Sequence, residues 1–161
     1  MDNNQNKDQK KEKTIEYCIA RKEHLSGILE LYKQLQLEDE PLDLGEAERI
    51  WEKGGSQGIT YFTAIHEDRV VGTLFMAVLG NLTRQGRSIG FVENMIVCRE
   101  YRRRGIGKKL IQMAKDHGKK NNCYKILLFS NHTRKEAHAF YESCGFDGNS
   151  RRGFIYKPQA D

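Results

Sequence analysis

The part of the sequence that most restricts the fold is residues 91–107, where an apolar run precedes an arginine-rich and glycine-rich segment. Residues 91–97 read Phe-Val-Glu-Asn-Met-Ile-Val, and residues 102–107 read Arg-Arg-Arg-Gly-Ile-Gly. Apolar residues then recur at helical spacing from Ile106 to Ala114, so the pattern predicts a strand, a glycine turn and a helix. No Ser, Thr, Asp or Asn in the turn caps this helix. Free N–H groups beside arginines predict a phosphate-binding site.

Two other glycine-rich phosphate motifs do not fit this turn. A nucleoside triphosphate loop needs glycine where Arg102 stands, and a hydroxyl for magnesium where Lys109 stands. A dinucleotide-binding fingerprint needs a third glycine where Leu110 stands, because helix and strand must pack closely there. Hydrolysis of nucleoside triphosphates and dinucleotide binding are therefore not expected.

A second segment, residues 137–146, reads Ala-His-Ala-Phe-Tyr-Glu-Ser-Cys-Gly-Phe and predicts a helix that ends at Gly145. The Arg-x-x-Gly-x-Gly turn and the later Tyr-Glu-x-x-Gly-Phe together resemble the GCN5-related N-acetyltransferase (GNAT) family, over about residues 15–157. The resemblance implies an α/β fold with a mixed, mostly antiparallel central sheet, one parallel strand pair around the cofactor site and about four flanking helices. It implies an enzyme that transfers acetyl from acetyl-CoA to a primary amine of a small molecule or peptide, by direct attack in a ternary complex.

The same resemblance indicates where acetyl-CoA would bind. The family opens the strand before the turn at a bulge, and the strand amides then line the pantetheine arm. Many relatives have a cofactor-contacting Asn seven residues before the motif tyrosine, but Arg134 stands there in this chain, so Arg134 and Asn131 are alternatives. The predicted cofactor-binding residues are Met95, Ile96, Val97, Arg102, Arg103, Arg104, Gly105, Ile106, Gly107, Lys108, Asn131 and Arg134.

Acetyl transfer to an amine requires a neutral nucleophile, stabilisation of the developing oxyanion and a proton for the departing thiolate. Glu93 is the only acidic residue in its apolar strand, and some relatives have a carboxylate there that acts on the amine through a water. The alternative is a glutamate at the sheet rim paired with an arginine. Tyr141 matches the family's usual proton donor to the coenzyme A sulfur, and the alternative is a core aromatic residue. Glu93 and Tyr141 are the predicted catalytic residues.

The charge of the chain is concentrated at the glycine turn. The formal net charge is +5, and residues 99–120 hold nine basic residues against two acidic ones. Such local charge suits a small polyanion such as coenzyme A, and the absence of interleaved aromatic residues argues against a nucleic acid partner. The cysteines lack Cys-x-x-Cys spacing and the histidines lack partners at ligand spacing, so no metal is predicted.

The remaining sequence predicts one domain. Residues 1–13 form a polar tail that we expect to be disordered, and residues 14–161 form a single N-acetyltransferase domain. We expect a cytoplasmic protein without membrane contact, since no apolar stretch suits a membrane helix or a signal peptide. The sequence leaves open whether two chains form a homodimer.

Periodicity predicts the elements of this domain. Strands are expected at residues 14–20, 60–66, 69–79, 89–97, 124–130 and 153–157, and helices at 25–35, 44–53, 106–121 and from 133 to Gly145. The last helix is expected to begin with a capping box formed by Thr133 and Glu136. The last strand is expected to complete the sheet.

The acceptor is the least determined part of the function. The family builds its acceptor pocket from the first two helices and a late hairpin, here residues 35–58 and 147–153. Acidic residues in the first range favour a cationic amine, namely Asp39, Glu40 and Asp43. Arginines in the second range favour an anionic acceptor such as an amino acid or aminophosphonate, namely Arg151 and Arg152. A non-catalytic acyl-CoA-binding or regulatory module is the alternative to an enzyme.

Overall fold

The computed structural model describes residues 14–35, 40 and 42–158. These residues form five strands and four α-helices in the order β1 (Glu16–Ile19), α1 (Leu25–Tyr32), α2 (Leu44–Ser56), β2 (Ile59–His66), β3 (Arg69–Leu79), β4 (Ile89–Val97), α3 (Ile106–Lys120), β5 (Lys125–Leu128) and α4 (Lys135–Ser143). Short 3₁₀ turns lie at Lys22–His24, Arg84–Gly86 and Arg99–Tyr101.

The five strands form one sheet in chain order. β1 to β4 pair antiparallel in succession, and β5 pairs parallel with β4. β2 and β3 are joined by the predicted tight turn at Glu67 and Asp68, whose positive φ values of 51° and 63° suit the twist of a hairpin. β4 and β5 are joined by α3, since a parallel pair needs a crossover connection. The mixed, mostly antiparallel sheet and the four helices confirm the predicted fold class.

The core lies on both faces of β3. Val70, Val71, Leu74 and Met76 are all buried, and a strand buried at consecutive positions must be covered on both faces. α1 packs against β3, α2 against β2, and α3 against β2, β3 and β4. The apolar stripe predicted for α3 is fully buried. This packing fixes the first turn of α3 beside the end of β4.

The predicted capping box at Thr133 and Glu136 is wrong. α4 begins at Lys135, and its N-cap residue is Arg134, which makes no side-chain capping bond. The backbone N–H and the hydroxyl of Thr133 both donate to Asn131 Oδ1, at 3.0 and 2.9 Å. Because Asn131 takes the Thr133 hydroxyl into a local turn, that hydroxyl does not cap the helix.

The predicted last strand at residues 153–157 is also wrong for the chain as described. Residues 151–158 have no regular secondary structure, and Phe154, Ile155 and Tyr156 are 87%, 79% and 87% exposed. The segment passes close to Phe129: a Cβ added to Gly153 would lie 2.7 Å from the Phe129 ring. It does not pair with β5, which therefore stays an edge strand of the sheet.

Smaller differences concern the ends of elements and the tail. α1 ends three residues before the predicted residue 35, and β5 is shorter than the predicted 124–130. The predicted disordered tail at residues 1–13 and the acidic Asp39 lie outside the described residues, so the division of the chain into a tail and a single domain stays a prediction. None of the described helices is both long and apolar enough to cross a membrane. The cytoplasmic location stays a prediction.

Candidate active site

β4 and β5 separate where β4 carries a bulge. Their pairing ends at Val92 and Leu128, and on its other side the register with β3 shifts so that two residues of β4 oppose one of β3. Asn94 lies in the bulge with φ of 52°, a left-handed conformation that Asn tolerates better than most residues. A cavity of about 280 Å³ lies here, lined by Leu35, Val92, Glu93, Asn94, Met95, Leu128, Phe129, Arg134 and Tyr141. We call it the catalytic cavity.

The end of β4 offers backbone amides to the gap between the strands. The amide of Cys98 donates to Val71 of β3 at 2.8 Å. Because successive strand amides point to opposite sides, the amides of Met95 and Val97 lie on the side of β5, where pairing has ended. The side chain of Ile96 is buried in the core, so Ile96 can contribute to this gap only as the residue that spaces the two amides.

The glycine turn leaves the N-terminus of α3 open, as the sequence predicts. Gly105 is the N-cap residue with φ of 79°, no side chain caps the helix, and its first turn holds no acidic residue. A Cβ added to Gly105 would meet nothing within 4 Å, whereas one at Gly107 would lie 3.0 Å from Met95 Cε and from Phe140 Cζ. Free N–H groups, a positive helix end and an open surface are the features that favour anion binding, and the phosphate site at this turn stays a prediction.

Two of the arginines in the turn are already engaged within the protein. Arg102 Nε donates to the carbonyl of Val97 at 3.2 Å, which holds the turn against the end of β4. The Arg104 guanidinium lies over the ring of Tyr101 at 5.0 Å, and the Tyr101 hydroxyl is 3.0 Å from His66 Nδ1. The β2–β3 hairpin therefore supports the turn through an aromatic contact that no sequence motif indicates.

The other predicted residues of the turn are of two kinds, exposed cations and a buried isoleucine. Arg103 and Lys108 are exposed, and Arg103 has φ of 63°, so the turn accommodates a side chain in a conformation that usually favours glycine. Ile106 is buried in the core. It can therefore offer only its backbone to a ligand, while the exposed cations supply charge at the surface of the turn.

Glu93 lies where the sequence places it, on β4 and in the wall of the catalytic cavity. Its side chain is partly buried, and the described residues provide no arginine or lysine in an ion pair with it. The alternative prediction of a rim glutamate paired with an arginine therefore has no support from these contacts. A carboxylate without an ion pair beside a cavity can accept a proton from a bound ligand or water.

Tyr141 lines the same cavity from α4, so the fold brings both predicted catalytic residues together. Burial raises the pKa of Tyr141 above its usual value, the positive charge of Arg134 opposes this rise, and the charges of Glu93 and Cys144 add to it. The ring packs against Phe140 and Phe146, at centroid distances of 5.2 and 6.2 Å. Its hydroxyl stays protonated around neutral pH and can donate a hydrogen bond or a proton.

The two alternatives for the missing family asparagine lie in different surroundings. Asn131 is exposed, and its Oδ1 accepts the two bonds from Thr133. Arg134 lines the catalytic cavity, and its charge acts on Tyr141. Arg134 therefore lies in the cavity wall and Asn131 in the turn before α4, and which of them contacts acetyl-CoA stays a prediction.

A second cavity of about 500 Å³ adjoins the catalytic cavity. It lies between α1, α2 and the sheet, and Leu35 and Asn94 line both cavities. The rings of Trp51 and Tyr61 stack at 4.7 Å in its wall. The family resemblance predicts an acceptor pocket at residues 35–58 and 147–153 and gives no role to these two aromatic residues. We call it the α1–α2 cavity.

Metal binding has no candidate in the part of the chain that the structure describes. No group of three or more His, Cys, Asp or Glu side chains there is arranged to hold a metal ion. All four cysteines are free thiols, and Cys98 is fully buried.

Residues 23–146 match the model of the acetyltransferase (GNAT) family. A glucosamine 6-phosphate N-acetyltransferase of Trypanosoma brucei brucei is 31% identical over 140 residues, which cover 86% of this chain and 92% of the relative. An Arabidopsis thaliana protein of the same name is 27% identical over 128 residues, 77% of this chain and 83% of the relative.

Solved structures show the same fold. The crystal structure of an acetyltransferase from Trypanosoma brucei superposes with a TM-score of 0.79 at 29% identity, and the match covers 89% of this chain and 100% of that one. The family match spans both the glycine turn and the tyrosine motif. The chain belongs to the acetyltransferase (GNAT) family and is an acetyl-CoA-dependent N-acetyltransferase.

Proposed function

We propose that the protein acetylates the primary amine of an amino sugar phosphate, of the glucosamine 6-phosphate class, by direct attack in a ternary complex. The observation that carries the reaction is the meeting of Glu93, Tyr141 and the open end of β4 around one cavity. The acceptor class is supported by the names of two relatives that each match more than three quarters of the chain, both called glucosamine 6-phosphate N-acetyltransferase. Arg134 lines the catalytic cavity and suits a phosphate, whereas Lys33 in the wall of the α1–α2 cavity is ion-paired with Glu30.

We place the phosphates of acetyl-CoA at the glycine turn. The free N–H groups of α3 and the exposed side chains of Arg103 and Lys108 suit a pyrophosphate. The amides of Met95 and Val97 would then line the pantetheine arm in the gap between β4 and β5. This arrangement brings the thioester to the cavity that Glu93 and Tyr141 share.

The proposed reaction uses three groups of the chain. Glu93, directly or through a water, takes a proton from the acceptor ammonium so that the neutral amine can attack the thioester carbonyl. As the C–N bond forms, a β4 amide donates to the developing oxyanion. The C–S bond then breaks, and the Tyr141 hydroxyl gives its proton to the departing thiolate. The nitrogen of the new amide loses its second proton to solvent, and solvent returns a proton to the Tyr141 phenolate.

The function is tested by incubating the protein with acetyl-CoA and a panel of amines while free thiol is measured. We expect glucosamine 6-phosphate to be acetylated faster than glucosamine, because only the former has a phosphate for Arg134. An amino acid, an aminophosphonate and a polyamine complete the panel. Binding of acetyl-CoA without thiol release for any amine would favour a non-catalytic binding module.

Glu93→Gln should lower kcat/KM for the acceptor by about a hundredfold at pH 7, because the carboxylate that accepts the amine proton is lost. The loss should shrink as pH rises, since primary amines lose their proton above neutrality and then need less help. The measurement is a pH–rate profile of both proteins between pH 6 and about 10.

The matched control for Glu93→Gln is Glu142→Gln, which changes an exposed glutamate of α4 that does not line the cavity. That variant should keep the parent profile. If Glu93→Gln keeps both the height and the shape of the parent profile, Glu93 has a structural role only.

We also propose that two chains form a homodimer through the C-terminal segment. The support is the exposure of Phe154, Ile155 and Tyr156 in a segment whose sequence predicts a strand, near the unpaired edge of β5. Light scattering should give twice the mass of one chain. Phe154→Ser combined with Tyr156→Ser should give a single chain, whereas Arg151→Ser combined with Lys157→Ser should not change the mass. A monomeric parent would contradict the proposal.

A further inference from the structure

The α1–α2 cavity contains a buried hydroxyl group whose hydrogen bonding is incomplete among the described residues. The hydroxyl of Tyr32 is buried, and the described residues offer it no hydrogen bond of normal length and angle. Tyr32 lines the cavity together with Asn94. Buried hydroxyl groups almost always have a partner, so an unsatisfied one beside a cavity of about 500 Å³ points to a ligand that supplies it.

The protonation state of the Tyr32 hydroxyl allows it to hydrogen-bond to a ligand. Burial and the neighbouring Tyr61 raise the pKa of Tyr32 well above its usual range, and the approach of the Asn94 side chain opposes the rise. Tyr32 is therefore a neutral phenol at any working pH, able both to donate and to accept. Asn94, held in the bulge with φ of 52°, adds a carboxamide with two donors and an acceptor at the same point.

The rest of the cavity wall is largely apolar and aromatic. The stacked rings of Trp51 and Tyr61 line it, with an interplanar angle of 23°, and so do Leu29 and Ile50. Binding sites of this kind use the apolar wall for contact area and the few polar groups for selection. A saturated ring with an apolar C–H face and hydroxyl groups at its rim matches both parts of the wall.

The position of the cavity connects it to catalysis. Leu35 and Asn94 line this cavity and the catalytic cavity, and Asn94 follows Glu93 in the chain. A ligand in the α1–α2 cavity can therefore place an attached group beside Glu93 without crossing the protein. That group would be the amine that Glu93 deprotonates in the proposed reaction.

We propose that Tyr32 selects the acceptor by hydrogen bonding to a ring hydroxyl while the ring packs in the cavity with Trp51 and Tyr61. The inference rests on the proposed function, because it takes the acceptor amine to react beside Glu93. Tyr32 is the specificity-determining residue in this arrangement, and the acceptor class is a hydroxylated six-membered ring that carries a primary amine.

The test is Tyr32→Phe in the full chain. We expect KM for glucosamine 6-phosphate to rise about tenfold, the effect of one lost hydrogen bond, while KM for acetyl-CoA stays unchanged. The unfolding temperature should stay unchanged or rise, because the substitution removes an unsatisfied buried hydroxyl. Tyr17→Phe is the control, since Tyr17 lies on β1 and does not line the cavity. It should leave all three values unchanged.

A second measurement compares glucosamine with cyclohexylamine as acceptors for both proteins. The parent should prefer glucosamine, and Tyr32→Phe should lose most of that preference. The preference is the ratio of kcat/KM for glucosamine to kcat/KM for cyclohexylamine. The two amines differ in basicity, but this difference affects both proteins equally and cancels when the ratio of the variant is divided by that of the parent. The ratio therefore reports the ring hydroxyls alone.

The outcomes separate this inference from the proposed function. If the parent acetylates glucosamine 6-phosphate and Tyr32→Phe changes neither the acceptor KM nor the preference, the inference is wrong and the proposed function stands. If Tyr32→Phe lowers the unfolding temperature with unchanged kinetics, the hydroxyl serves the fold only and the inference is wrong. If the parent acetylates no amino sugar, both are wrong.

Discussion

Replacing Gly107 by valine should weaken coenzyme A binding by at least about a hundredfold, or about 2.7 kcal/mol, while the protein still folds. A Cβ at this position would lie 3.0 Å from Met95 Cε and from Phe140 Cζ. Met95 Cε ends a flexible side chain, and the Phe140 ring has to shift by only a few tenths of an ångström, so we expect the fold to survive. The two methyl groups of valine would then stand in the first turn of α3, where the phosphates need close approach to the N–H groups.

Calorimetry with coenzyme A measures this effect directly. The control is Gly55→Val, because Gly55 lies in α2 and a Cβ there would meet nothing within 4 Å. Gly55→Val carries the same change of residue and should bind coenzyme A with the parent affinity. Unchanged affinity in folded Gly107→Val would show that the phosphates bind elsewhere, and the placement of acetyl-CoA at the glycine turn would be wrong.

The sequence predicts β3, β4 and the start of α3 well, because the residue patterns that determine them lie within each segment. The bounds of β3 and β4 agree with the predicted residues 69–79 and 89–97, since each strand is an apolar run that ends at turn residues. The open N-terminus of α3 follows from the absence of a capping residue in the turn. Glu93 and Tyr141 were both predicted, and the fold places them in one cavity.

Local patterns fail where a competing partner decides the outcome. Thr133 has the spacing of a capping box, but Asn131 lies two residues before it and takes its hydroxyl. The segment at residues 153–157 has the composition of a strand, yet a strand forms only against a partner, and sequence pattern does not supply one. Both errors come from contacts that a periodicity argument does not contain.

The parts of the site that the sequence did not indicate come from residues far apart in the chain. Tyr32, Trp51 and Asn94 belong to three different elements and meet only in the folded α1–α2 cavity. Tyr101 and His66 support the glycine turn across 35 positions of sequence. Single aromatic residues like these fit a core equally well, and only the position of each polar atom in the fold distinguishes a ligand contact from packing.

Tyr141→Phe should leave acetyl-CoA affinity and stability close to those of the parent and lower kcat by about tenfold to a thousandfold. The ring keeps its packing against Phe140 and Phe146, because only the hydroxyl is removed. The lost interaction forms mainly in the transition state, when the thiolate leaves and needs a proton. Burial raises the pKa of Tyr141, so the parent phenol is protonated on both sides of neutrality. The loss should therefore be similar at pH 6 and pH 8.

The loss of activity in Tyr141→Phe should not depend on pH, whereas the loss in Glu93→Gln should shrink as pH rises. This difference distinguishes an acid at Tyr141 from a base at Glu93. A missing base is compensated as the amine loses its own proton at higher pH, whereas a missing acid for the thiolate is not compensated in that direction. Tyr124→Phe is the control, since Tyr124 lies before β5 and outside the catalytic cavity. Full kcat in well-folded Tyr141→Phe would mean that the thiolate leaves without its help. Tyr141 would then be a packing residue of α4, and the proton would have to come from solvent or from the acceptor.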